Sequence, residues 1–600
     1  VSEGQSIGFR LRRWWWRLSR YWWSEGALLI PLAALLACLP RMMRGVSCGH
    51  DFDFHFVNWI EVQRAWHEHL LYPHWAESPN WGAGEPRFVF YPPLSWMAGA
   101  ALGTLFNWQW VAGIFTWLCL ALSGFTTRAL ARTFLPAWNA TLAGVIAAAA
   151  PYALFVAYER TAYSELAAAG LIPLLLLYAL RKDSETGSAL WDELPGAWRL
   201  ALVLAAIWLT NAPSGVIASY LLVFAALCSA WLRRSWVPAL RAMMAAPVAL
   251  GMAATYLVPA AWEQRWIAVN QALDVGMRVA DSWLFARHAG ADMQLHDEIL
   301  RTASTILLAS AIAAATGFFI AWRSGKLSRA SRSIWLPLAC MLVLVLLLQF
   351  PLSWPLWLLP KMQFLQFPWR WMIVLDAPFA IFLAAATPLH WKRSWIAGAA
   401  WTLAILLFTS IAYKDFFQPC DEEDSVAGQL AVFHDGSGVE GTDEYAPVGA
   451  DNSIVADNLP DACLVTDATR ELGETTAGSS PEWYAELGTC DETFNATLWE
   501  SEHKKFSIHS DNDGYLVLRL RRYPAWRITI NGAVVQSLDT REDGLMTLPV
   551  HEGPATIDIQ WADTPDERTG SEISAASTVV FLLIIAAGER KRRKAIHLSS

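Results

Sequence analysis

Apolar stretches that approach the roughly 20 residues a helix needs to cross a bilayer recur along most of this chain. Thirteen are readable, at about 26–41, 93–108, 109–127, 139–157, 166–181, 197–211, 212–231, 240–260, 303–322, 334–351, 371–389, 395–412 and 574–588. A water-soluble fold cannot cover so many apolar helices with so little polar surface. Over 600 residues, 55% are hydrophobic and 16% charged, and the mean hydropathy is +0.29. The fold class this predicts is a polytopic α-helical membrane protein. The chain's 35 Trp cluster near the ends of apolar runs, as interfacial aromatic belts do.

The formal net charge of −9 conceals a topological pattern. Lys and Arg gather in 1–25 (Arg10 to Arg17), at Arg181-Lys182, Arg233-Arg234, Arg323–Arg332 and Lys392-Arg393, and in the tail 589–600. The positive-inside rule makes these cytoplasmic, with 1–25 an interfacial anchor rather than a cleaved signal. Both termini inside the cell require an even number of crossings, so about 12 are expected. One segment between 93 and 160 then fails to cross. The membrane domain spans 26–412, with a first outer loop at 42–92.

Residues 413–573 differ in kind. They are acidic and rich in Gly, Asp, Thr and Ser, and they contain alternating runs such as Tyr515–Leu520 and Ala555–Gln560. Asn531-Gly532 and Asp543-Gly544 are turn signals. This predicts an extracytoplasmic β-sandwich-like domain, followed by a final helix at 574–588. Cys48, Cys420, Cys463 and Cys490 fall on the outer side, where disulfides form, and Cys463–Cys490 is the simplest pairing.

The chemistry concentrates in the first outer loop. Gly49-His50-Asp51-Phe52-Asp53-Phe54-His55 places two carboxylates and two histidines at the edge of a span. Asp51 or Asp53 can serve as a general base, and the pair can hold Mg²⁺ or Mn²⁺. A solvated acidic loop is the plain alternative. His50 and His55 are candidate substrate or metal contacts, or simple interfacial hydrogen-bonding groups. An amphipathic helix lying along the interface is expected over Phe56–Leu71, with Phe56, Ile60, Trp66 and Leu70 on its apolar side.

Three further groups stand at span ends. Glu159-Arg160 and Glu165 interrupt two apolar runs, and charges there are costly unless paired or functional. Arg370, after Gln366-Phe367-Pro368-Trp369, is the strongest phosphate ligand by position, because guanidinium grips phosphate in a bidentate way. A snorkelling interfacial Arg is its alternative. Trp526, beside Tyr523-Pro524, is read as β-domain core rather than a sugar platform.

Several motifs carry a family resemblance. Gly49-His50-Asp51 with His55, Tyr72-Pro73-His74-Trp75, the run Asn80, Gly82, Gly84, Pro86, and Tyr91-Pro92-Pro93-Leu94 resemble bacterial membrane proteins labelled "6-pyruvoyl-tetrahydropterin synthase-related". Tyr256–Glu263, Phe364–Arg370 and Tyr523–Trp526 fit the same family and the similar YfhO-like membrane proteins. The resemblance runs from about 27 to 588. It implies no pterin chemistry, since nothing resembles the soluble enzyme's three-histidine zinc site. It implies a likeness to the GT-C superfamily, whose members take sugar from a polyprenyl-phosphate donor and carry an essential acidic residue in the first outer loop. Asp51 matches that position. The implied partners are a lipid-linked sugar donor, membrane lipids, and a glycan, lipid or protein acceptor. The implied place is the outer face of a bacterial inner membrane.

Two other readings compete. A flippase for lipid-linked glycans would carry charges paired across helices at mid-membrane, where Asp376 is the clearest exception to an apolar interior. A non-catalytic envelope scaffold would use the β-domain for contacts and leave Asp51 and Asp53 dispensable.

Overall fold

The computed structural model describes residues 26–181, 190–388, 394–455, 460–465, 494–535 and 541–599. The basic segment 1–25, the loop 390–393 and Cys490, hence the expected Cys463–Cys490 pair, lie outside these residues.

Eight helices are long and apolar enough to cross a membrane: Trp108–Ala131, Ala137–Arg160, Tyr163–Leu180, Ala212–Arg233, Ala291–Arg323, Arg329–Leu347, Ile396–Phe416 and Pro565–Ala587. Two bent pairs, Val237–Met252 with Ala254–Trp266 (73°) and Pro368–Val374 with Asp376–Ala386 (47°), raise the number to ten. The protein is therefore a multi-pass membrane protein with eight to ten candidate crossings among the described residues, not about 12. Expected segments fall short for local reasons. The 26–41 run breaks at Cys38 into Leu29–Ala37 and Leu39–Arg44. The helix Pro93–Leu105 has 13 residues, about 20 Å, too short for a hydrocarbon core of about 30 Å.

The 73° bend is stabilised by another helix. At the break, Thr255 donates its amide hydrogen to Ser574 Oγ (2.9 Å), and the Ser574 hydroxyl donates to the Gly251 and Met252 carbonyls (3.2 and 3.0 Å). Broken helix groups satisfied by a neighbouring Ser are the usual way an apolar environment tolerates such a break. Ser574 belongs to the last helix, which starts at Pro565 rather than near 574. Thr564 and Glu567 exchange backbone-to-side-chain hydrogen bonds (2.8 and 3.3 Å), a capping box with Pro at the first helical position.

Among the described residues, the β region contains two antiparallel sheets. The strands are β1 (Ala462–Val465), β2 (Phe494–Glu500), β3 (His503–Ser510), β4 (Gly514–Arg521), β5 (Trp526–Ile530), β6 (Ala533–Val534), β7 (Leu545–Val550) and β8 (Gly553–Trp561). One sheet has the order β1-β4-β7 and the other β2-β3-β8-β5-β6. Phe506 and Ile508 of β3, Ile557 and Ile559 of β8, Leu516 and Leu518 of β4, and Met546 and Leu548 of β7 share one core. Asn531-Gly532, both at positive φ, turns β5 into β6, the turn its sequence predicts.

The first loop connects the two regions. Its helix starts at Phe52 and ends at His67. It does not lie open along an interface: Phe52, His55 to Val62 and Ala65 are all buried, which takes in most of its circumference. Acidic Asp53 in its first turn and Arg64 and His67 in its last complement the helix dipole.

Candidate functional site

Three chain segments meet immediately before the loop helix. Ser47 donates to the Tyr158 carbonyl (2.7 Å), Cys48 is disulfide-bonded to Cys420, and Gln418 donates to Glu159 (2.9 Å). The Cys48–Cys420 link is a pairing the sequence left unassigned. Gly49 passes so close to the 158–160 backbone that a Cβ there would lie 2.2 Å from the Glu159 carbonyl oxygen. This explains the Gly of Gly-His-Asp: only a residue without a side chain fits. The amides of His50 and Asp51 then donate to the Glu159 and Arg160 carbonyls (3.3 and 2.8 Å).

The facing segment is irregular in a useful way. Val156–Arg160 forms a π turn, and Thr161 has left-handed φ of 50°. Both features are uncommon for such residues and cluster at functional sites. They end the span Ala137–Arg160 and turn Arg160 towards the loop.

Asp51 and Arg160 thus form an ion pair at 3.2 Å (Asp51 Oδ2 to Nη2), while the second Asp51 oxygen is 2.8 Å from His50 Nδ1. Arg160 Nη1 donates to Glu165 Oε2 at 2.6 Å, and its guanidinium lies over the Trp369 ring at 5.1 Å. Tyr152 donates to the other Glu165 oxygen. Arg370 reaches the array with Nε 3.7 Å from Glu165 Oε2 and donates through Nη1 to the Leu365 carbonyl (3.2 Å). Its buried Nε has no hydrogen-bond partner. Two carboxylates and two guanidiniums therefore lie in one chain, with unused donor capacity on Arg370.

Burial opposes ionisation of Asp51, but Arg160, then His50 and His55, outweigh it and hold the carboxyl well below the usual carboxylate range. The hydrogen bond to Asp51 raises His50. Burial pushes His55 down to about 4, so it is neutral, ringed by Phe54, Tyr91 and Tyr163. His55 packs beside the site, whereas His50 contacts its carboxylate directly.

Of the residues singled out in the sequence, Asp51, His50, Arg160, Glu165 and Arg370 come together. Asp53 is exposed in the first helical turn and makes none of these ion pairs. The pair Asp51 and Asp53 does not fit Mg²⁺ or Mn²⁺. Both Asp51 oxygens are engaged by cationic or ring-nitrogen partners, and no group of three or more His, Cys, Asp or Glu suited to a metal occurs among the described residues. Sequence reading missed Tyr152, Trp369 and the chain Tyr91–Ser164–Asn211 (2.7 and 3.0 Å). Asn211 caps its helix by accepting from Ser214 while its amide donates to Ser164. Trp526 is core, packed edge-on to Trp75 and Trp561.

No family model matches the sequence, nor does any curated relative, so the resemblance to the pterin-synthase-related membrane proteins rests on its motifs alone. Some solved structures show a limited likeness. The apo oligosaccharyltransferase of Archaeoglobus fulgidus is 12% identical with a TM-score of 0.39, over 71% of this chain and 61% of that one. The mycobacterial arabinofuranosyltransferase AftD is 16% identical with a TM-score of 0.42, over 70% and 29%. ArnT of Cupriavidus metallidurans, bound to undecaprenyl phosphate, is 13% identical with a TM-score of 0.28, over 79% and 96%. The chain thus spans about three fifths of the archaeal enzyme and less than a third of AftD.

Proposed function

We propose that this protein is an integral-membrane glycosyltransferase of GT-C type. In this reading it moves a sugar from a polyprenyl-phosphate donor to a cell-envelope acceptor on the outer face of the membrane. The observation that carries the reading is the array Asp51–Arg160–Glu165–Arg370, in which a carboxylate pairs with one guanidinium and a second, that of Arg370, keeps a donor without a partner.

The chemistry follows from that juxtaposition. The acceptor hydroxyl oxygen attacks the anomeric carbon, and its proton passes to Asp51. The bond between the anomeric carbon and the phosphate oxygen breaks, with its electron pair staying on phosphate. Phosphate is already a good leaving group, so no strong general acid is required. Its growing negative charge is met by Arg370 and Arg160. Glu165, held by Tyr152, keeps the two guanidiniums apart and neutralises them until phosphate arrives. Attack opposite the leaving group inverts the anomeric centre.

The test is sugar transfer by the purified protein with a panel of polyprenyl-phosphate sugars. The reading expects product with wild type and its loss in Asp51→Asn with donor binding retained. Donor binding by wild type without transfer or hydrolysis would refute it in favour of transport or scaffolding.

A further inference from the structure

The side-chain series Tyr91–Ser164–Asn211 ends beside the candidate site, and its hydrogens can be counted. Asn211 precedes the helix Ala212–Arg233, and its Oδ1 accepts from the Ser214 backbone amide and hydroxyl (2.9 and 2.7 Å). A backbone amide can only donate, so this end of the Asn211 side chain is its oxygen. The other end is therefore the NH₂ group, which donates to Ser164 Oγ (3.0 Å). Ser164, on the helix Tyr163–Ala169, is 1% exposed, and its hydroxyl lies 2.7 Å from that of Tyr91.

A serine hydroxyl has one hydrogen to give. Among the described residues, the Ser164 hydroxyl bonds only to Asn211, from which it accepts, and to Tyr91. The Arg160 carbonyl, which a helical serine can bond one turn back, already accepts from the Asp51 amide and the Thr161 hydroxyl (2.8 and 2.7 Å). If Tyr91 donated to Ser164, the Ser164 hydrogen would be buried without an acceptor, which is costly. The series therefore runs from Ser214 to Asn211 to Ser164 to Tyr91, and the phenolic hydrogen is left over. Tyr91 is only half-buried, so that hydrogen is within reach of a ligand. The charges of Asp51, Arg370 and Arg160 all act on the Tyr91 hydroxyl, which therefore borders the array. Burial raises the phenol above its ordinary value, so it keeps its hydrogen.

We propose that Tyr91 is a further substrate contact, donating its hydrogen bond to a phosphate oxygen held by Arg160 and Arg370, with Ser164 and Asn211 as its positioning residues. The contact rests on the glycosyltransfer reading in one respect, that the array is where phosphate sits. The guanidiniums draw an anionic oxygen to this place, and such an oxygen is the strongest acceptor a neutral hydroxyl can meet. Tyr91 adds direction without adding charge, because Ser164 fixes its oxygen and leaves its hydrogen one way to point.

The full-length protein in detergent would be titrated with a polyprenyl phosphate that carries no sugar, and separately with inorganic phosphate. Tyr91→Phe is expected to weaken binding about tenfold, the size of one hydrogen bond to a charged group, at an unchanged melting temperature. Stronger Tyr91-dependent binding of the lipid identifies a lipid head as the source of the phosphate, and equal binding identifies free phosphate. Asn211→Asp supplies a second variant. It keeps the helix cap but presents Ser164 with an acceptor in place of a donor. Ser164 then donates to the new carboxylate and accepts from Tyr91, so the phenolic hydrogen is withdrawn from the site. The same loss is expected, and adding Tyr91→Phe to it should cost nothing more. Additive losses would mean that the new charge acts by itself, and would overturn the proposal. Undiminished binding in folded Tyr91→Phe would overturn it too, while leaving glycosyltransfer untouched. Tyr91-dependent binding by a wild type that transfers no sugar would refute glycosyltransfer and uphold this contact. Failure of wild type to bind either phosphate would overturn both.

Discussion

Asp51 takes part in two pairings at once, and the balance between them bears on its chemistry. Arg160 and His50 hold it ionised; in the proposed transfer it would accept a proton, and as a carboxylate held low it would be a weak base unless phosphate drew Arg160 away. Loss of the group should cost about 10²–10⁴-fold in transfer rate, the range of a positioned general base. Asp53→Asn should cost far less, because Asp53 is outside the array; single-turnover transfer by both variants makes the comparison. His55 carries a different signature. Its folded value of about 4 lies below the unfolded value near 6.5, so between them the unfolded chain binds a proton that the folded chain refuses. The stability it contributes is full above about 6.5 and falls with pH, by at most about 1.4 kcal/mol per pH unit, until about 4. Melting temperatures from pH 7 to 4.5 should fall more for wild type than for His55→Gln. At this scale the sequence was legible where charge stands beside apolar runs: Asp51, Arg160, Glu165 and Arg370 all stand out. Tyr152 did not, because an aromatic inside an apolar span looks like any other until Glu165 is seen opposite it.

The elements show why spans were easier to find than to bound. Apolar content located nearly every helix, but length depends on caps and breaks. Thr564-Pro565-Asp566-Glu567 carried a readable start signal for the last helix, and apolarity alone put that start too late. The π turn at Val156–Arg160 and the left-handed Thr161 have no such signature, since they are imposed by packing against Gly49 and its neighbours. The burial of the loop helix was not legible, because amphipathic spacing reveals one apolar face and cannot reveal that protein covers the other. The Cys48–Cys420 link was unreadable for a similar reason: 372 residues separate its ends. It ties the loop bearing Asp51 to the segment that meets Glu159. Cys48→Ser, or reduction of wild type, is expected to remove about 2–4 kcal/mol of stability. It should also lower transfer with little change in donor binding, because the loop that orients Asp51 is loosened while Arg160 and Arg370 stay on their spans. Thermal melting with and without reductant, alongside donor titration, measures both effects.

Across the whole molecule, the first loop is the joint between the helical region and the sheets. Glu502 accepts the amide hydrogens of His74 and Trp75, Lys504 pairs with Glu77 (2.9 Å), and Glu77 with Arg64 (2.8 Å). Glu68 accepts from Ser501, Arg521 donates to Asn80, and Tyr523 donates to Glu263. The β region is therefore fastened to the loop that carries Asp51, and its attachment bears on the geometry of the site. His74 sits in this joint, stacked on Trp561 at 5.5 Å with ring nitrogens 3.4 Å from Glu502 and 3.8 Å from Glu567. Burial opposes its charge, but Glu502 and then Glu567 prevail and push it up to about 9. A histidine raised from about 6.5 stabilises the folded state fully below 6.5 and ceases to do so as pH rises through 9. The joint should accordingly weaken between pH 6.5 and 9, opposite in direction to the acid loss at His55. Hydrogen exchange of 68–86 and of β3 should quicken together across that interval in wild type. In His74→Gln the rates, corrected for intrinsic exchange, should already be raised at pH 6.5 and stay level. If the loop quickens and the sheet does not, His74 only steadies its own loop, and the fastening must be credited to Lys504–Glu77 and Ser501–Glu68.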